Sequence, residues 1–142
     1  MPTLVRHAMT IVDRARPSEE WVLSDDGREA ARALRLSGSA RSSSEPKALE
    51  TARLAGLDAT PDDRLREVRR PWSDDYATDV ARYLGGEALP GWEPRVAALV
   101  RLHDVLDGFD GIAVTHGLAI SLYLGYTLDE WRALPFPAVV EC

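Results

Sequence analysis

The chain has a single cysteine, Cys142, at its last position. A disulfide within the chain is therefore ruled out, no cysteine-based metal site has enough ligands, and Cys142 is expected to be an exposed terminal thiol without a role. Basic residues are not in excess either. Lys and Arg number 17 against 23 Asp and Glu, for a formal net charge of −6. That balance argues against a general nucleic-acid binder, which needs a basic face, and leaves room for a small cationic pocket. Residues 1–15 lack the apolar core of a signal peptide. No apolar run approaches the roughly 20 residues that cross a bilayer. Neither nucleic acid nor membrane is expected as a partner, and a soluble cytoplasmic protein is the expectation. No His-x-x-x-His or similar ligand pair suggests a metal hydrolase. There is no internal repeat and no long linker. The 142 residues suffice for one domain with a real core and fall short of two ordinary ones.

What is present alternates between short apolar runs and helical patterns. Pro2 to Arg6 reads as a buried strand and 11–22 as a loop. Ser24, followed by Asp25 and Asp26, reads as the N-cap of a helix to about Leu36 that Gly38 ends. Ala40 to Ser43 is a short strand. Ser44 caps the next helix, with Pro46 in its first turn and Gly56 at its close. Residues 57–72 are rich in charge and proline. Ser73 opens a helix to Leu84. A longer helix spans about Trp92 to Leu106, with Val96, Leu99, Val100 and Leu106 as its apolar face. His103 falls between those positions, so a partly buried packing role is expected for it. Ile112 to Thr115 is a second buried strand, followed by a helix from Leu118. Thr127 and Glu130 have the spacing of a capping box, and Ala138 to Val140 forms a last strand. Strands alternating with helices predict an α/β fold, with a mainly parallel central sheet between helical layers.

Two of these strands end alike, at Arg6-His7 and at His116-Gly117. In an open α/β sheet, ligands bind beyond the carboxyl ends of the strands. His116 also opens a helix, whose free N–H groups favour an anion. An imidazole is able to attack phosphorus, a second is able to donate to phosphoryl oxygens, and Arg6 suits those oxygens bidentately. From spacing alone this is a phosphate-site hypothesis, with ordinary structural histidines as the alternative.

The order of motifs resembles the histidine phosphatase superfamily, also called phosphoglycerate mutase-like. Its strand-Arg-His-Gly-x-Thr signature is similar to Leu4-Val5-Arg6-His7-Ala8-Met9-Thr10. Its Leu-Ser-x-x-Gly stretch resembles Leu23 to Gly27, and its Ser-Pro-x-x-Arg-Ala-x-x-Thr-Ala stretch resembles Ser43 to Ala52. Leu65-Arg66-Glu67 resembles the acid motif, Gly86-Glu87 the stretch before a long helix, and Thr115-His116-Gly117 the closing motif. The matches are collinear across nearly the whole chain.

The resemblance implies a three-layer α/β/α sandwich forming a single domain over 1–142, with a short cap around 67–91. It implies a metal-independent phosphatase with no cofactor. His7 would become phosphohistidine, and Glu67 would act as acid and base. His116 would stabilise the transferring charge, and Arg6, Lys47, Thr10 and Ser43 would hold phosphate. Partners would be a small phosphorylated substrate or a phosphoprotein, and phosphate ion. There are two departures. Ala8 stands for the usual glycine, and its methyl would crowd the phosphate loop. Lys47 stands for the second arginine, keeping the charge and losing the fork; Arg41 is a candidate to compensate. The short cap suggests an open site, which disfavours a mutase. Alternatives are a phosphohistidine protein phosphatase and a non-catalytic phospho-ligand binding module. Arg64, Arg66, Arg69 and Arg70 read as a solvated face, or else as a rim favouring polyanions. Trp72 and Tyr76 read as packing residues, with substrate contact in a lid as the alternative.

Overall fold

The computed structural model describes residues 1–142. Five strands form one sheet in the order β3-β2-β4-β1-β5. They are β1 (Thr3–Arg6), β2 (Ala40–Ser42), β3 (Thr60–Pro61), β4 (Ile112–Thr115) and β5 (Ala138–Glu141). The first four run parallel and β5 closes one edge antiparallel to β1. Six helices join them: α1 (Asp25–Leu34), α2 (Pro46–Leu54), α3 (Tyr76–Leu84), α4 (Arg95–Leu106), α5 (Gly117–Leu124) and α6 (Leu128–Ala133). No helix is long and apolar enough to cross a membrane.

The two-residue period of a strand divides the core. Leu4 and Ala113 face a large cluster built from Val80, Tyr83, Leu102, Val105, Leu106, Leu118 and Ile120. Their neighbours Val5 and Val114 face the opposite side, against Ala48 and Ala52 of α2. Helices α1 and α2 therefore cover one face and α3, α4 and α5 the other, which is the expected α/β/α sandwich. Within the 67–91 segment, Val80, Tyr83 and Leu89 are buried in the larger cluster.

Local rules account for most boundaries. The Ser24 hydroxyl accepts the Gly27 N–H at 3.0 Å. A side chain at Gly27 would meet the Met9 carbonyl oxygen at 2.2 Å, so only glycine lets α1 lie this close to the backbone beyond His7. Thr127 and Glu130 form the expected capping box. Several expectations are corrected. Helix α1 ends at Arg35, left-handed at φ 48°, before Gly38 is reached. Glu45, not Ser44, precedes α2, and the Ser44 hydroxyl donates to Asp63 instead. Helix α3 begins at Tyr76, because Ser73 accepts the Asp75 N–H and donates to Asp79. Helix α4 begins at Arg95, while Trp92 packs on Tyr83 with ring centroids 5.0 Å apart.

The buried face of α4 also differs from the expected one. Val96 and Val100 are 71% and 65% exposed, and the inward residues are Ala98, Arg101, Leu102, Val105 and Leu106. His103 lies outside, beside Asp107 at 3.1 Å. The reason is a buried ion pair. Arg101 donates to both carboxylate oxygens of Glu93, at 2.9 and 2.8 Å, and to the carbonyls of Arg64 and Arg66 at 2.8 Å each. A charge turned inward with each of its three nitrogens engaged lets the valines turn outward. Cys142 is partly buried against the larger core cluster rather than exposed.

Candidate active site

The register of β1 on β4 brings the two histidines together. Val5 lies opposite Val114 and Arg6 opposite Thr115, so His7 and His116 leave adjacent parallel strands at the same level. Their ring centroids are 5.1 Å apart. The His7 N–H continues the ladder to the Thr115 carbonyl at 3.1 Å.

His7 Nδ1 lies 2.7 Å from the Ala8 carbonyl oxygen. A carbonyl only accepts, so Nδ1 carries the hydrogen and Nε2 keeps the free lone pair. Burial pulls the His7 pKa down to about 3, helped by the positive charges of Lys47, Arg6 and Arg70 and opposed by the Ala8 hydrogen bond. The ring is therefore neutral, as a nucleophile must be. The Ala8 N–H donates to the Thr51 hydroxyl at 3.0 Å, and that hydroxyl donates to the Lys47 carbonyl at 2.8 Å. Thr51 thus ties the chain beyond His7 to α2. The Ala8 methyl does not crowd the site: it is fully buried with Leu23 and Ala31.

His116 is completely buried. Its Nε2 lies 2.8 Å from the Ser43 hydroxyl and 3.1 Å from Glu45 Oε2. Its Nδ1 is buried without a partner. Burial, with the adjoining His7 and the charges of Lys47, Arg70 and Arg101, holds its pKa well below that of a free histidine. Ser43 therefore orients His116.

Arg6 is buried, which lowers its pKa to about 10. It donates to the Leu134 carbonyl at 2.7 Å and lies 3.4 Å over the Phe136 ring. Its Nε has no partner. A side chain at Gly117 would meet the Arg6 guanidinium at 2.6 Å, so Arg6 keeps this place only while glycine follows His116. Lys47 is turned toward Glu45 Oε1 at 3.3 Å and the Ser18 carbonyl at 2.6 Å. Thr10 pairs through its backbone with Leu23. Arg41 does not reach the site: it donates to the Val105 carbonyl at 3.0 Å and lies 4.2 Å over Phe109.

Glu67 occupies the start of α5. Its carboxylate accepts the N–H groups of Leu118, Ala119 and Val68 at 3.0, 2.9 and 2.9 Å. The helix N–H groups expected to be free for an outside anion thus hold this carboxylate. Its approach is set by the Arg101–Glu93 pair, which grips the carbonyls just before it. The surrounding arginines divide. Arg64 pairs with Asp62 and Asp104, and Arg66 with Glu93 and Asp63. Arg70 donates to the Val68 carbonyl, lies 4.6 Å over Tyr76, and has no carboxylate partner.

The expected open site is instead covered. His7 is 6% exposed, with Phe136, from the segment after α6, 5.6 Å from its ring, and Lys47 is 5% exposed, held by Ser18, Glu45 and Trp21. Sequence reasoning missed Phe136, Glu45 and Thr51. Thr51 was visible as the threonine of the Ser43–Ala52 stretch. Glu45 and Phe136 carry no comparable signal. No group of three or more His, Cys, Asp or Glu side chains is placed to hold a metal ion.

Fold and site together define an α/β protein with a buried two-histidine cluster, flanked by cations, at the carboxyl ends of parallel strands. No family model and no curated protein matches the sequence. Solved structures do match. The protein TTHB049 from Thermus thermophilus is 26% identical, with a TM-score of 0.71 over 85% of this chain and 81% of that one. A phosphoglycerate mutase from Thermus thermophilus is 28% identical, with a TM-score of 0.70 over 85% and 80%. A mycobacterial hydrolase, at 22% identity and a TM-score of 0.68 over 93% and 82%, shares the fold. The chain has the phosphoglycerate mutase-like fold of these structures, which bears out its resemblance to the histidine phosphatase superfamily. That fold is consistent with phosphomonoester hydrolysis through a catalytic histidine and supports a phosphatase- or mutase-type enzyme.

Proposed function

We propose that the protein hydrolyses phosphomonoesters through a phosphohistidine on His7. The observation that carries this is the His7–His116 pair. One imidazole is neutral, with its Nε2 lone pair free; the other presents a buried, unpartnered Nδ1. In the first step His7 Nε2 bonds to phosphorus and the bond to the alcohol oxygen breaks. Glu67 gives that oxygen a proton, moving off one of its N–H partners. Water then attacks phosphorus and yields a proton to the Glu67 carboxylate. The N–P bond breaks and phosphate leaves. Arg6 and Lys47 bind the phosphoryl oxygens, and His116 donates to them once the charge of the arriving dianion has raised its pKa and it has taken a proton from solvent. Thr10 is proposed to add a hydroxyl to the phosphate site. The 67–91 segment forms one wall of the site through Arg70 and Tyr76.

With the short cap no longer implying openness, the choice of hydrolysis over mutation rests on the neighbouring cavity. It is broad and lined by tryptophan, tyrosine and proline besides arginine, which does not enclose a small phosphorylated acid against water. A second reading, a phosphohistidine protein phosphatase, is favoured by one observation. Glu67 is held by three backbone N–H groups, and an imidazole leaving group depends less on an acid than an alkoxide does. Glu67→Gln separates the two, by comparing loss of rate on a phosphate ester with loss on a phosphohistidine peptide. His7→Ala is expected to abolish hydrolysis of aryl phosphates and labelling by a phosphorylated substrate. The label on the wild-type protein should be lost in acid; a label that survives acid and not alkali contradicts phosphohistidine. Folded protein that turns over none of several esters would leave the non-catalytic binding module in its place.

A further inference from the structure

We propose that the cavity beside the phosphoryl site receives the alcohol part of the substrate, and that this part carries a flat aromatic or heteroaromatic ring. The inference rests on the phosphatase reading and adds a substrate class to it.

The cavity measures about 470 Å³ and lies between the 14–21 loop and the 70–76 segment. That is within the range of small-molecule sites. Some of its lining residues adjoin those of the phosphoryl site. On one side the Ser18 carbonyl and the Trp21 ring hold Lys47, with the Lys47 Nζ 2.6 Å from the oxygen and 5.6 Å from the ring centroid. On the other side stand Arg70 and Tyr76, the guanidinium 4.6 Å over the ring, and the Arg70 charge helps lower the pKa of both histidines. An ester with its phosphorus at His7 therefore has its alcohol directed into this space.

The lining is built from planar groups. Besides Trp21, the Arg14 guanidinium lies 4.7 Å over Trp72, and the Arg70 guanidinium lies 4.6 Å over Tyr76. Such layered pairs present flat faces that a further ring extends. Trp72 is 50% exposed at the mouth, apolar surface that a ring would withdraw from water. Polyanionic substrates fit less well. Arg14 already pairs with Asp74, Arg16 with Asp13, and Glu19 stands on the lining. Only Arg70 lacks a carboxylate. A small aliphatic alcohol would leave the planar walls without a partner.

The test uses alcohols of matched leaving ability, 3-phenylpropyl phosphate against propyl phosphate, so that the ring is the variable. In the wild-type protein kcat/KM is expected to be about tenfold or more higher for the phenyl compound. Trp72→Ala, and separately Trp21→Ala, are expected to bring that ratio to within about twofold. Trp72 is half-exposed, so its removal leaves the core intact. Calorimetric binding of 3-phenylpropylphosphonate against propylphosphonate should show the same preference without turnover. Equal kcat/KM for the two esters, or a preference untouched by both substitutions, overturns the pocket and leaves the hydrolytic reading standing. Ring-dependent phosphonate binding with no turnover of either ester supports the pocket and overturns the hydrolytic reading.

Discussion

Glu45 Oε2 lies 3.1 Å from His116 Nε2, inside the protein, and the same oxygen accepts the Glu67 N–H at 2.8 Å. One buried carboxylate therefore joins the second histidine, the candidate acid and Lys47. Burial pushes the Glu45 pKa up against the pull of Lys47. Once a phosphoryl dianion faces Nδ1, an anionic Glu45 behind Nε2 favours the imidazolium. Glu45→Gln keeps the shape and removes the charge. The expected result is a fall in kcat of about tenfold or more. The alkaline limb of the pH–rate profile should also move to lower pH, because the His116 imidazolium is then lost sooner. A profile superimposable on the wild type would show that Glu45 only packs.

Stability should fall as pH drops below the ordinary histidine pKa of 6.5. His7 has its folded pKa depressed to about 3 by burial and neighbouring cations. Between those values the unfolded chain binds a proton that the folded chain does not, so stability is complete above 6.5 and is lost as pH falls toward 3. His116, depressed for the same first reason, adds to the slope. Each contributes up to about 1.4 kcal/mol per pH unit. Urea unfolding at a series of pH values should show this slope, and His7→Asn should reduce it. An unchanged slope in that variant would mean that other groups govern acid unfolding.

Gly117→Ala tests the packing of Arg6. The new methyl meets the far end of the Arg6 side chain, which is able to swing away. Unfolding midpoints should change little, while KM for a phosphate ester rises by about tenfold, the guanidinium having left its place. Wild-type kinetics in the folded variant would remove Arg6 from the phosphate site.

Thr51→Val removes the acceptor for the Ala8 N–H, a group that is fully buried with its residue. The unsatisfied donor should cost about 1–3 kcal/mol in denaturant unfolding. Activity should fall as well, since the chain holding His7 loses its tie to α2. A stable variant with reduced activity would show that the hydrogen bond positions His7 and does little for the fold.

Much of the fold was legible because it follows from local pattern. The apolar runs at Leu4-Val5 and Ile112 to Val114, the Ser24 cap and the Thr127 box each act within a few residues, and each took its expected place. The face of α4 was not legible. Periodicity treats valine as an inward residue, and it is blind to a carboxylate at Glu93 that makes Arg101 the better inward choice.

The candidate site divides along the same line. Which side chains are proposed for phosphate chemistry was written in the order of the motifs, because Arg6, His7, Glu67 and His116 are chemically fixed by type. What each of them faces was decided by the tertiary structure. The β1–β4 register set the two imidazoles side by side. Glu67 came to the first turn of α5, Lys47 turned to Glu45 and Ser18, Ala8 turned into the core, and Phe136 closed over His7. All of these depend on contacts between residues far apart in the chain. A sequence specifies its own hydrogen-bonding groups, but which distant group satisfies each one is settled only when the layers pack and every buried donor and charge must find its partner.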